Sequence, residues 1–168
     1  MPEADSQPDE VDALVAAWRR ERPDLDVAPM QVLSRVSRLA RHLDRERSAA
    51  FAAHRLESWE FDVLAALRRA GPPYALTPGQ LTRATLVTSG TMTNRVDRLA
   101  ERGLVSRSDH PDDRRGVLVT LSPAGQTLVD AALTDLLAAE RLIMNQLPTD
   151  QHTDLAAALK LLLARYDR

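Results

Sequence analysis

Residues 88–123 read TSGTMTNRVDRLAERGLVSRSDHPDDRRGVLVTLSP, and the hydrophobic period changes partway along them. Met92, Val96 and Leu99 recur at i, i+4 and i+7, the stripe of an amphipathic helix. Winding that helix at 3.6 residues per turn puts Asn94 and Arg98 on the side away from the stripe and Arg95 on its shoulder. Gly103 ends the helix. Leu104 and Val105 begin a strand, and VLVTL (117–121) forms another. The polar SDHPDDRRG (108–116) between them is expected as a hairpin loop. Ser122 as cap and Pro123 at the first helical position then start a new helix.

The segments on either side are helical. TPGQLTRATL (77–86) has Thr77 as cap, Pro78 at N1 and Gln80 at N3, a compact start signal. SWEFDVLAALRRAG (58–71) is expected to begin at a Ser58 cap and to stop at Gly71. Further upstream, VDALVAAWRRERPD (11–24) places Val11, Leu14, Val15 and Trp18 on one side of a helix that Pro23 ends. APMQVLSRVSRLARHLDRERSAAFAAHR (28–55) repeats Val32, Val36, Leu39 and Leu43 at helical spacing. Downstream, residues 122–147 and 149–168 form two more helices, the last with Leu155, Leu159 and Leu162 on one stripe.

Helix, turn, helix and β-hairpin in that order make a winged helix-turn-helix. The fold class is therefore mainly α with a small β-hairpin wing and a helical dimerisation region from both chain ends. The expected organisation is a disordered tail at 1–10 and N-terminal helices at 11–56. A winged helix-turn-helix follows at 57–121, then dimerisation helices at 122–168. The end helices are long for the module between them. Their stripes need a cover, which either a single compact monomer or, as helices of this length favour, a homodimer made from both chain ends supplies.

Composition bounds the rest. The 168 residues suit one domain with helical arms. There is no cysteine, which excludes disulfides and thiolate chemistry. The acidic N-terminus has no signal-peptide character and no run approaches a membrane span, so a cytoplasmic protein is expected. The four histidines (42, 54, 110, 152) are scattered without metal-ligand spacing. Neither a phosphate loop nor a nucleophile elbow is present, and the reading is not an enzyme, with no cofactor. Net charge is −2, unlike many DNA binders. Between Arg83 and Arg115, however, seven arginines face five acids, a local balance of +2.

On the helix at 88–103, Thr88, Ser89, Gly90, Thr91 and Asn94 are small or polar. They let the backbone approach a major groove and bond base edges or phosphates. Arg98 and Arg102 lie further along, placed for phosphate. In the loop, an arginine at the tip suits a narrow minor groove, and a neighbouring carboxylate holds it extended. The same residues would also serve as a solvated helix face and a plain surface hairpin.

With the helix, the glycine turn, the Asp-x-Arg loop (Asp113, Arg115) and the Leu-Ser-Pro-x-Gly return (Leu121 to Gly125), this segment resembles the DNA-binding core of the MarR family of bacterial transcriptional regulators. The resemblance implies a homodimer of winged-helix subunits, usually a repressor, bound to a palindromic operator in double-stranded DNA and released by a small molecule. It makes Arg115 the minor-groove arginine, Asp113 its holder and Arg114 its neighbour. The helix around AAWRRERPDLD (16–26) precedes the usual first helix and resembles the urate-responsive branch of that family. That branch's ligand signature falls here on Trp18, Asp62, Arg95 and Arg107.

A flat, purine-like organic anion wants an aromatic face and a cation, whereas a tricarboxylate such as citrate or aconitate uses the arginines more and the aromatic face less. Trp18 and Arg95 offer them, while Asp62 pairs with an arginine when the pocket is empty. Each residue has a plainer reading beside this one. Trp18 is equally a core or interface aromatic, as Trp59 is read to be. Asp62 with Arg95 is equally a static ion pair, and Arg107 equally a phosphate contact.

Overall fold

The computed structural model describes residues 7–110 and 113–166, the side chains of residues 110 and 113–115 excepted. The chain divides into two compact units, Met1–Glu46 and Arg47–Arg168.

The first unit holds α1 (Glu10–Glu21) and the beginning of α2 (Ala28–Ala53). Asp9 caps α1, accepting the Val11 and Asp12 N–H groups, and Asp12 returns the contact to the Asp9 N–H. This reciprocal box satisfies N–H groups that a helix end otherwise leaves without partners. Asp9 also pairs with Arg35 at 2.8 Å, and Arg38 pairs with Glu10 at 2.5 Å. Asp9 and Glu10, inside the stretch expected as a tail, are bonded into the helix start. Val11, Val15 and Val27 are buried together, with Met30 packed on them. Leu14 and Trp18, on the same helix, stay exposed.

The second unit is built on α3 (Ser58–Arg69), α4 (Pro78–Thr85), α5 (Ser89–Glu101) and α6 (Pro123–Met144), with α7 (Thr149–Leu163) at its end. The stripe expected from the sequence, Met92, Val96 and Leu99, is buried in one core with Val63, Leu64 and Leu67 of α3, Leu81 of α4, and Val129, Ala132 and Leu136 of α6. Phe51 and Phe61, both buried in the same core, stack at 4.1 Å between ring centroids.

Three features depart from the sequence reading. The wing is a three-stranded antiparallel sheet, not a two-stranded hairpin, in the order β1-β3-β2. Its strands are β1 (Ala75–Leu76), β2 (Val105–His110) and β3 (Asp113–Leu121). Two residues of β1 are too few to display a period. They are recruited because Ala75 and Leu76 align with Thr120 and Val119. The strands also run into the stretch expected as a loop at 108–116: Ser108 pairs with Leu118 and Asp109 with Val117, before an irregularity at Asp109/His110. A ribbon reaching into solvent has no buried face, so nothing imposes the alternation that marks a strand in sequence. Finally, the cap of α3 is Glu57, not Ser58. Glu57 has extended backbone angles, and its N–H donates to the Glu60 carboxylate at 2.9 Å.

The local signals at the other helix starts hold. Thr77 accepts the Gln80 N–H and the Gln80 side chain answers to the Thr77 N–H. Ser122 accepts the Gly125 N–H at 3.0 Å and donates to the Gly103 carbonyl at 2.7 Å. One hydroxyl thus joins the end of α5 to the start of α6. Gly103 adopts φ +68°, the left-handed conformation that ends helices and favours glycine. Gly125 is required by space: a Cβ there would meet the Leu104 carbonyl oxygen and come within 2.8 Å of Leu121 Cδ1.

Candidate nucleic-acid interface and ligand site

The N-terminal end of α5 is a small, polar, exposed surface. Thr88 has extended backbone angles, and its hydroxyl accepts the Thr91 N–H and lies 2.9 Å from the Thr91 hydroxyl. Thr88, Ser89, Gly90, Thr91 and Asn94 are all exposed. A Cβ added at Gly90 would meet nothing within 4 Å. The buried stripe fixes the opposite side of the helix to the core, so this face has no freedom to turn inward. That arrangement suits a helix presented to a groove.

The arginines of the same helix are held by α3. Arg98 Nη2 donates to Glu57 Oε1 at 2.7 Å, and Trp59 Nε1 donates to Glu57 Oε2 at 2.7 Å. The indole N–H and the Arg98 guanidinium hold the Glu57 carboxyl below the usual carboxylate range. Arg98 also lies over the Trp59 ring, 4.7 Å from its centroid, and Arg95 lies 5.4 Å from the same centroid. Both distances are within cation–π range. Trp59, Gly90, Thr91, Asn94, Arg95 and Arg98 line one hollow of about 520 Å³.

Arg102, expected at phosphate, is taken up by the fold. Its Nη1 donates to Glu60 at 2.6 Å and its Nη2 to the Arg55 carbonyl. Glu60 is the buried charged side chain among the described residues. A buried carboxylate demands a partner, and Arg102 supplies it.

The four residues of the ligand signature have separate surroundings. Trp18 belongs to the first unit and is 44% exposed there. Asp62 stands 3.7 Å from Arg47 and lines a hollow of about 320 Å³ between α3 and α6, with Arg68, Arg69, Asp130 and Glu140 on its walls. Arg107, on β2, pairs with Asp97 of α5 at 2.6 Å and donates to the Thr93 carbonyl. It therefore ties the wing to the outer side of the reading helix. Arg95 is half-buried, as its place on the shoulder requires, and the group it meets is Trp59. No ion pair joins Asp62 to Arg95 or Arg107 among the described residues.

Sequence reasoning missed Trp59 and Glu57. The sequence reads Trp59 as a plain core or interface aromatic, but besides packing against the core its ring carries two cations. The available signal was the pair Arg95 and Arg98 at i, i+3, which share a helix face. Which group on α3 they meet is a tertiary matter. Asp113, Arg114 and Arg115 lie at the start of β3, and their side chains fall outside the described residues.

The MarR family model matches residues 56–116. The HTH-type transcriptional regulator PecS of Dickeya dadantii is 39% identical over 150 residues, 89% of this chain and 90% of that protein. A crystal structure of a mutant MarR from E. coli complexed with operator DNA aligns with a TM-score of 0.68 and 26% identity, covering 83% of this chain and 99% of that one. BpsR of Bordetella bronchiseptica, described as regulated in its DNA binding by 6-hydroxynicotinic acid, aligns with a TM-score of 0.59 and 28% identity over 76% of this chain and 98% of that one. A reading helix whose polar end faces outward beside an antiparallel wing agrees with these likenesses along nearly the whole length, and the chain belongs to the MarR family of winged-helix, DNA-binding transcriptional regulators.

Proposed function

We propose that the protein is a ligand-responsive repressor that binds a palindromic operator as a homodimer and is released by a small organic anion. The effector is a urate- or purine-like molecule, or a tricarboxylate such as citrate or aconitate. The observation that carries the DNA half is the exposed, Thr88-capped end of α5, where Thr88, Ser89, Thr91, Asn94 and Arg98 are turned outward by the buried Met92–Val96–Leu99 stripe. Arg115 enters the minor groove, with Asp113 holding it and Arg114 beside it. The homodimer is supported by the exposed leucines of α6 and α7. Its symmetry sets half-sites about one helical turn apart.

Trp18, Asp62, Arg95 and Arg107 are proposed as the effector residues. Arg95 is the recognition-helix arginine without an acidic partner among the described residues, which suits it to capture an anion. The neighbour BpsR answers to an aromatic carboxylic acid. An anion that pulls Arg95 moves the helix that reads DNA, a switch by differential contact.

A second reading, a winged-helix DNA-binding protein without an effector, is favoured by the ion pairs themselves. Asp62 faces Arg47 and Arg107 faces Asp97, so both are matched without a ligand. Calorimetric titration with urate, xanthine, citrate and aconitate separates the two. Binding by one of them that weakens the operator complex supports the first reading, and no binding by any supports the second. Gel shifts of Arg115→Ala are expected to show operator affinity reduced about five- to 150-fold, by analogy with specific base contacts worth about 1–3 kcal/mol. Unchanged affinity removes the minor-groove role.

A further inference from the structure

One indole serves two arginines with different proposed tasks. Arg95 is the proposed anion-sensing residue and Arg98 the proposed DNA contact. They lie 5.4 Å and 4.7 Å from the centroid of the Trp59 ring. The ring is fixed in place because Glu57 accepts its N–H through one carboxylate oxygen and Arg98 through the other. Trp59, Arg95 and Arg98 all line the hollow that Gly90, Thr91 and Asn94, the polar end of the reading helix, also line.

We infer that Trp59 is a positioning residue that couples Arg95 to Arg98, so that removing Arg95 from the ring changes how Arg98 is presented to a DNA phosphate. The inference rests on the proposed roles of those two arginines. Its physical basis is the shared ring. The negative face of an indole attracts a cation electrostatically. Two guanidiniums held near one ring repel each other, and each weakens the attraction felt by the other. While Arg95 occupies its place, Arg98 is held less firmly and reaches outward at lower cost. When an anion draws Arg95 away, Arg98 settles against the ring and Glu57, and the phosphate loses a donor. The sign agrees with release from DNA by an anion. An exposed cation–π contact corresponds to a factor of about two to five in an equilibrium constant, and the coupling is of that size.

The decisive measurement needs no effector. Operator affinity is measured by fluorescence anisotropy for the full-length protein, Arg95→Ala, Arg98→Ala and the double variant. The same four are then made with Trp59→Leu and with Trp59→Phe. The two arginine substitutions are expected to be non-additive by about two- to fivefold when Trp59 is present. The non-additivity is expected to disappear in Trp59→Leu and to survive in Trp59→Phe, which keeps an aromatic face but cannot donate to Glu57. Additive arginine effects in the Trp59 protein overturn the inference even if Trp59→Leu does not fold. Non-additivity that persists in folded Trp59→Leu overturns it as well, since a merely structural Trp59 leaves the coupling unchanged. A separate arm adds urate or citrate to the same series. If neither changes operator affinity of the unsubstituted protein, the effector reading fails for those anions, while the ligand-free cycle still decides the coupling.

Discussion

Helices α5 and α7 carry similar apolar spacing and meet opposite surroundings. Met92, Val96 and Leu99 of α5 are 0%, 1% and 0% exposed, whereas Leu155, Leu159 and Leu162 of α7 are 38%, 36% and 48% exposed. The period of a stripe says which face of a helix is apolar. It does not say what covers that face. For α5 the cover comes from α3, α4 and α6 of the same unit. For α7 it is expected from a second copy of the chain, because a contiguous apolar surface of this kind marks an interaction site. The polar sides differ as well. Opposite its buried stripe, α5 presents threonines, Asn94 and Arg98, the last held by Glu57 at the start of α3, and this is the surface proposed for DNA.

The sharpest way to break the comparison is a pair of leucine substitutions. Leu99→Ala is expected to destabilise the fold by about 2–5 kcal/mol, read from denaturant unfolding, since it leaves a cavity in a closed core. Leu159→Asp is expected to leave the helical content in place and convert a dimer to a monomer in sedimentation velocity. If Leu159→Asp remains dimeric, α7 is not the dimer seam and its stripe needs another explanation. If Leu99→Ala costs well under 1 kcal/mol, the core around α5 is looser than its burial indicates.

Gly125→Ala tests the junction between the reading helix and its supports. The added methyl meets the Leu104 carbonyl oxygen and Leu121, so a loss of about 1–3 kcal/mol is expected from overpacking. A neutral result in thermal and denaturant unfolding shows that α6 can retreat from the wing at little cost. The smallest expected effect belongs to Thr88→Ala. Loss of the hydroxyl that accepts the Thr91 N–H costs about 1 kcal/mol of stability. Thr88 also lies on the proposed DNA surface, so operator affinity is expected to fall with it. Unchanged stability indicates that water replaces the cap, and unchanged affinity takes Thr88 out of the interface.

Much of the fold was legible because its signals are local. A helix start is set by residues within three positions of one another, so Thr77 with Gln80 and Ser122 with Pro123 marked helix starts that the structure places at those positions. Ser58 misled because a serine beside a helix start suggests a cap, whereas Glu57 has the extended backbone and the Glu60 carboxylate answers its N–H. Strand β1 was invisible, being two residues long and defined only by its partners on β3. The extent of the wing strands was hidden for a related reason, since a solvated ribbon needs no hydrophobic alternation.

The candidate site divides along the same line. The sequence alone determined the order of helix, turn, helix and wing, the buried stripe of α5, the polar character of its exposed end, and the position of Arg95 on its shoulder. All of these follow from spacing along one chain segment. Only the tertiary structure decided what the arginines meet: Arg95 and Arg98 on the face of Trp59, Arg102 on buried Glu60, and Arg107 on Asp97. A long, flexible cation reaches many possible partners. Which acid or ring lies within its reach depends on how α3 and the wing pack against α5, and no period in the sequence encodes that distance.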